Sequence, residues 1–227
     1  METQSFLFVV CVNDEALFGR CRRHIDELEI PDGFTLQVLS VKHARSMAGG
    51  YNQALGHPAR YKIYMHQDTM ILDKRLLYRL LDLFRADLKL GLLGVAGCAA
   101  LPLHGIWWDA DRLSGQVLER RGGADRLLRF AHGCDTDEGV EDAEAIDGLF
   151  MATQYDLRWR DDLFHGFHFY DSSQSLEFIR AGYKVGVARQ AKPICLHDCG
   201  DAFDIGAYDA DRAVFVREYM AVKGGAR

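Results

Sequence analysis

The 227-residue chain has no excess of positive charge. Its formal charge is −6, so no global basic field exists to attract nucleic acid or an anionic membrane. It has no long apolar run either. In the opening stretch METQSFLFVVCVND the apolar run occupies only positions 6–12, with no cationic segment before it. That is too short for a membrane span and poor as a signal peptide. The cysteines Cys11, Cys21, Cys98, Cys134, Cys195 and Cys199 include no C-x-x-C pair and read as free thiols. These absences point to a cytoplasmic location, with no nucleic-acid partner and no transmembrane segment. No internal repeat or linker divides the chain, so residues 1–227 read as one domain. What is present is ordinary: 48% apolar and 26% charged residues, enough for one sizeable core.

The apolar run FLFVVCV (6–12) reads as a strand buried on both faces. Asn13-Asp14-Glu15 then opens a helix with an acidic first turn. Residues 34–41 form a second strand, 46–56 a short helix ended by Gly56, and 61–65 a third strand. Asp73 is placed to cap a helix over 74–86, and 90–101 reads as a fourth strand. This β-α-β-α-β-α-β alternation predicts an α/β, doubly wound domain with a mostly parallel central sheet. Residues 105–130 read as antiparallel hairpins, giving a small antiparallel subsheet. HGCDTDEGVEDAEA (132–145) is acidic with few large apolar residues and reads as a mobile loop. A buried strand over 146–153, a helix over 172–182, a strand over 183–188, the segment 193–201 and a final helix over 211–222 complete the pattern.

In doubly wound sheets, ligands bind beyond the carboxyl ends of the strands, where Asn13-Asp14 and His66-Gln67-Asp68 both fall. Asp68 fits two roles there: a turn residue, or a carboxylate for a divalent cation whose other ligands are phosphate and water. Asp171 is placed either as a helix cap or as a general base for a substrate hydroxyl. His165, His168 and Tyr170 nearby suit an acceptor pocket or a core. Cys195, His197 and Cys199 face one side of an extended segment, but C-x-H-x-C is not a standard zinc spacing. His197 is better used as a metal ligand joining Asp68.

The segments FVVCVND, GGYNQAL, YKIYMHQDTMI, IDGLFMAT, FHFYDSSQSLEFIRAG and HDCG, in that order, resemble the family-2-like glycosyltransferases of GT-A fold, a bacterial nucleotide-sugar transferase branch. The resemblance implies that Val12, Asn13 and Asp14 line the base and ribose pocket, with Ser40 and Val41 at the second strand end. Asn52 would order the nucleotide side of the cleft, residues 1–100 forming a nucleotide-binding half and 101–227 an acceptor-side half. The family's D-x-D motif falls on His66-Gln67-Asp68. Asp68 matches the metal-binding carboxylate for Mn²⁺ or Mg²⁺, while His66 stands where an acid is usual. Asp147 matches a position near donor and acceptor sugars, Asp171 the catalytic base, and His197 a late histidine completing the metal site. The implied activity is inverting transfer of a sugar from a UDP- or GDP-type donor to a glycan or other hydroxyl acceptor, as in polysaccharide biosynthesis. Lys42, Arg45 and Arg158 are candidate phosphate contacts. A homo-oligomer is left open.

Two other readings compete. A nucleotidyltransferase on a related sheet would need a Gly- and basic-rich loop after the first strand, where VNDEALFGR is acidic. A non-catalytic nucleotide- or glycan-binding module would have no use for Asp68, Asp171 and His197 together.

Overall fold

The computed structural model describes residues 3–200 and 204–221. The first apolar run lies within β1 (Thr3–Val12), where Phe6, Leu7, Phe8, Val9 and Val10 are all buried. Side chains alternate across a strand, so such a run needs cover on both faces. Phe6, Phe8 and Val10 pack with α1 (Glu15–Asp26). Leu7 and Val9 pack on the opposite side, with α2 (Met47–Tyr51). Asp14 caps α1 by accepting from the amides of Ala16 and Leu17. β2 (Thr35–Lys42) and β3 (Ala59–His66) flank β1, both parallel to it.

From here the chain departs from simple alternation. β4 (Thr69–Ile71) belongs to a second sheet. α3 (Leu76–Ala86) starts behind Arg75 and not behind Asp73. Asp73 instead accepts from the Arg75 amide and pairs with Arg79 at 3.2 Å, closing the turn ahead of the helix. The expected fourth strand is two, β5 (Leu90–Gly94) and β6 (Ala96–Cys98). The break falls at Val95, whose carbonyl is taken by the Gln190 side chain at 2.6 Å. β7 (Leu113–Arg121) and β8 (Ala124–Arg129) form the expected hairpin around Gly122 and Gly123, both at positive φ.

β9 (Val140–Ala143), β10 (Ala145–Ile146), β11 (Phe150–Thr153), α4 (Tyr170–Arg180), β12 (Lys184–Ala188), β13 (Cys195–His197) and α5 (Ile205–Phe215) follow. A π-helical turn, Val216–Met220, extends α5. Asp201 and Val222, the last residues of two expected segments, lie outside the described residues. The main sheet runs β2-β1-β3-β11-β5-β12-β9. In it β2, β1, β3, β5 and β12 share one direction, and β11 and β9 oppose it. The second sheet runs β10-β6-β7-β13-β4, with β8 beside β7. The mostly parallel α/β sheet with a smaller, largely antiparallel one is therefore as expected, while the antiparallel insertion of β11 between β3 and β5 is not.

The acidic segment 132–145 is corrected in its second half, where β9 pairs with β12 over all four of its residues. Its Glu141 is buried between Arg112 at 3.1 Å and Arg189 at 2.7 Å. Composition alone counted that acid as solvent-seeking, but two cations from distant segments neutralise it. Hydrogen exchange should accordingly show the β12-facing amides of this edge strand, those of Glu141 and Ala143, protected. Uniformly fast exchange across 132–145 would restore the loop.

Candidate active site

The strands β1, β2 and β3 end at one edge of the sheet, and a cleft of about 550 Å³ opens there. Val12 and Asn13 form one wall, and Phe167, from the loop before α4, forms part of another. Gln67 ties two strand ends together. Its carbonyl oxygen accepts from the amides of Asn13 and Asp14, each at 2.9 Å, and its amide donates to the Asn13 side chain.

At the end of β2, Lys42, His43 and Ala44 line the cleft, whereas Ser40 and Val41 sit behind them, paired with Val10 and Cys11. Lys42 pairs with Glu15 at 2.7 Å, and both line the cleft. Asn52 stands outside the wall and grips the Trp159 backbone, donating to its carbonyl at 3.0 Å and accepting from its amide at 2.9 Å. Of the other candidate phosphate contacts, Arg45 is exposed and Arg158 pairs with Asp161 at 3.0 Å.

Deeper in, His66, Asp68 and His197 bring their ligand atoms within 4.8 Å of one another. Strand register makes this meeting. β13 pairs antiparallel with β4, His197 lies opposite Thr69, and the Asp198 amide donates to the Asp68 carbonyl at 2.8 Å. Asp68 Oδ1 is 3.4 Å from His197 Nε2 and 3.9 Å from His66 Nδ1, yet this buried oxygen has no hydrogen-bond donor. Buried carboxylate oxygens are rarely left so, and a cation is a natural partner.

Burial pushes the Asp68 carboxyl up, but the His197 and His66 rings outweigh it and hold it below its usual range. Burial lowers His66. In His197 burial is overcome by the Asp68 carboxylate, so its imidazole sits above its ordinary value. The other ring nitrogen of His66 is hydrogen-bonded to the Tyr170 hydroxyl, which fixes the ring's orientation. Cys195 and Cys199 do not join the group. Cys195 is buried, and Cys199 donates to Glu119 and to the Arg120 carbonyl.

Beyond this cluster lies a carboxylate pair. α4 starts behind Phe169, held at φ 56°, so Asp171 occupies the first helical turn rather than the cap. Its carboxylate accepts from the amides of Gly148 at 3.0 Å and Ser172 at 2.7 Å. A side chain at Gly148 would meet the Tyr170 hydroxyl, since a Cβ there would lie only 2.1 Å from that oxygen. Asp147 accepts from the Leu149 amide at 2.8 Å. Burial, with the nearby Asp147 charge, pushes the Asp171 carboxyl up to about 7 against its two amide donors. Tyr170 is buried, with its hydroxyl on His66. His168 is half-buried, edge-on to Tyr208 at 5.4 Å, and His165 is exposed.

Sequence reasoning missed His66 as the third member of the Asp68–His197 group. It also missed Gly148, Phe167 and the Lys42–Glu15 pair. The signal for His66 was its place two residues before Asp68 at a strand end, where both side chains share one side.

Residues 7–219 match the sequence profile of the family described as "Glycosyltransferase like family". The chain belongs to that family. No curated protein matches the sequence. Among solved structures, this member of the glycosyltransferase-like family resembles S. aureus TarS in complex with UDP, at a TM-score of 0.50 and 9% identity over 86% of this chain and 60% of that one. It also resembles the mannosyltransferase PcManGT from Pyrobaculum calidifontis in complex with GDP-Man and Mn²⁺, with TM-score 0.51 and 13% identity over 100% of this chain and 65% of that one. The family member thus spans less than two thirds of either neighbour, and at these identities the likeness is one of GT-A-type fold. No helix among its described residues is long and apolar enough to cross a membrane.

The raised Asp171 carboxyl has a consequence for stability. Its folded value near 7 exceeds the unfolded value of about 3.9, so the folded state binds the extra proton between them. Its contribution is full below about pH 4 and is lost as pH rises through about 7. Relative to Asp171→Asn, wild-type unfolding free energy from urea titrations should fall by on the order of 2–4 kcal/mol between pH 4 and 8. A pH-independent difference would mean that Asp171 titrates normally.

Proposed function

We propose that the chain transfers a sugar from a nucleoside-diphosphate donor to an acceptor hydroxyl, with inversion at the anomeric carbon. The observation that carries this reading is the convergence of His66, Asp68 and His197 at the carboxyl edge of the parallel strands, beside an open cleft. Family membership supports it, as do the UDP bound to TarS and the GDP-Man and Mn²⁺ bound to PcManGT. The first half of the chain supplies the nucleotide side: Val12 and Asn13 face the donor, while Asp14, Ser40, Val41, Asn52 and Gln67 brace that wall. The second half supplies the acceptor side, with Asp147, His168 and Asp171.

The orphaned Asp68 oxygen and the two imidazoles fit a divalent cation. Two nitrogen donors favour Mn²⁺ over Mg²⁺, which prefers oxygen. When bound, such an ion supplies Lewis-acid stabilisation of charge on the departing diphosphate. Lys42 and His43 add donors along the cleft, and Tyr170 holds the His66 ring in place.

Asp171, deprotonated, takes the acceptor hydroxyl proton onto its carboxylate as the acceptor oxygen bonds to the anomeric carbon. The bond from that carbon to the diphosphate breaks, and its electron pair leaves with the diphosphate. Attack from the face opposite the leaving group inverts the configuration. The amides of Gly148 and Ser172 hold the carboxylate in position, and Asp147 helps keep its affinity for the proton high. The nucleotidyltransferase alternative gains nothing from the site. The backbone amides after β1 that would cradle a triphosphate are those of Asn13 and Asp14, already taken by Gln67.

Two measurements test this. In thermal-shift assays UDP or GDP with Mn²⁺ should raise the melting temperature, and Asp68→Ala should remove most of the rise; no shift with any nucleoside diphosphate would end the donor half of the reading. Asp171→Asn should still bind donor but lose transfer by about 10²- to 10⁴-fold, and the wild-type rate should climb with pH through about 7. Undiminished turnover in Asp171→Asn would leave that residue a purely structural one.

A further inference from the structure

One run of aromatic side chains extends beyond the groups used above. Trp108, in the short 3₁₀ turn Trp107–Asp109, is 46% exposed. It is held from behind by buried Trp107, edge-on at 5.9 Å, which in turn meets Phe130 at 6.0 Å. On its other side the Trp108 ring lies 5.6 Å from Tyr208 of α5, tilted by 34°. Tyr208 meets the edge of His168 at 5.4 Å and packs on Phe169 at 4.9 Å. Phe167, next along the chain, is 50% exposed and already forms part of the cleft wall. Buried Tyr208 and Phe169 therefore form a rigid aromatic backing, on which half-buried His168 and exposed Trp108 rest beyond the start of the helix carrying Asp171.

The charges around this surface have one predominant sign. Asp171, Asp109 and Asp209 all act on the Tyr208 phenol, and Asp204 and Asp211 act on His168. The cation close to Tyr208 is Arg212, and it is paired with Asp209 at 3.1 Å. Flat aromatic faces accept the apolar C–H face of a sugar ring, and carboxylates accept hydrogen bonds from its hydroxyls. The same carboxylates repel phosphate or uronate groups.

We propose that Trp108, held in place by buried Tyr208 and with half-buried His168 beside it, is an acceptor subsite that stacks an uncharged sugar unit of a glycan. The proposal rests on the glycosyltransferase reading and narrows its acceptor to a neutral glycan whose reacting hydroxyl reaches Asp171.

The test uses the full chain on an array of neutral gluco-, manno- and galacto-oligosaccharides, set beside phosphorylated and uronate-containing ones. Wild type should bind at least one neutral glycan, Trp108→Ala should weaken that binding about tenfold or more, and Trp108→Phe should retain most of it. UDP or GDP thermal shifts should be equal in all three proteins, which also reports that each is folded. The subsite is overturned if Trp108→Ala binds neutral glycans as tightly as wild type does, or if wild type binds only charged glycans or none while still binding nucleotide. Neutral-glycan binding that depends on Trp108, in a wild-type protein indifferent to every nucleoside diphosphate, would uphold the subsite and remove the transferase reading instead.

Discussion

The pairing of β13 with β4 is the constraint on which the site depends. Residues 68 and 197 are far apart in the chain, and neither segment is positioned by anything local. The antiparallel register sets His197 across from Thr69, and the Asp198 amide anchors to the Asp68 carbonyl. A one-residue slip would turn the His197 side chain to the opposite face and leave Asp68 without it. That register is itself held on the far side of β13, where His197 pairs with Glu119 of β7 in a parallel ladder. A short strand with partners on both edges is a firm place to mount a ligand, since no loop motion can carry it off.

Around that meeting point the protein accepts several buried charges, each managed differently. Asp68 is stabilised as an anion by two imidazoles, Glu141 by two arginines, and buried Lys62 by Asp156 at 2.5 Å. Asp171 has amide donors but no cation among its hydrogen-bond partners, and burial with the nearby Asp147 charge raises its carboxyl to about 7. Two of these solutions are structural. The other two hold one carboxylate ionised and raise the proton affinity of the other.

Much of the sheet was legible because its signals are local. The run over β1 has no polar face, Asp14 and Ser46 are effective caps, and Gly122-Gly123 supplies positive φ for a turn. Strand direction is not a local property, and nothing in FMAT tells β11 to run against its neighbours. β9 was hidden for a related reason: the arginines that permit Glu141 to be buried come from positions 112 and 189. At the site, Asp68, Asp171 and His197 stood out by residue type and place, and the structure brings Asp68 and His197 together with His66. Asn52 and Tyr170 were legible as polar groups near strand and helix ends, but their partners, the Trp159 backbone and the His66 ring, are set by tertiary packing. His66 is the instructive case. In sequence it stands where an acid was expected, and only the register of β13 shows what surrounds it.

The first turn of α4 ties the two ends of the cleft together. Tyr170 reaches His66 while its neighbour Asp171 is held by Gly148 and Ser172, and successive helical residues point about 100° apart. One rigid backbone step therefore acts as a ruler between the hydroxyl that orients the His66 ring and the Asp171 carboxylate. Any tilt of α4 moves both ends of that ruler at once.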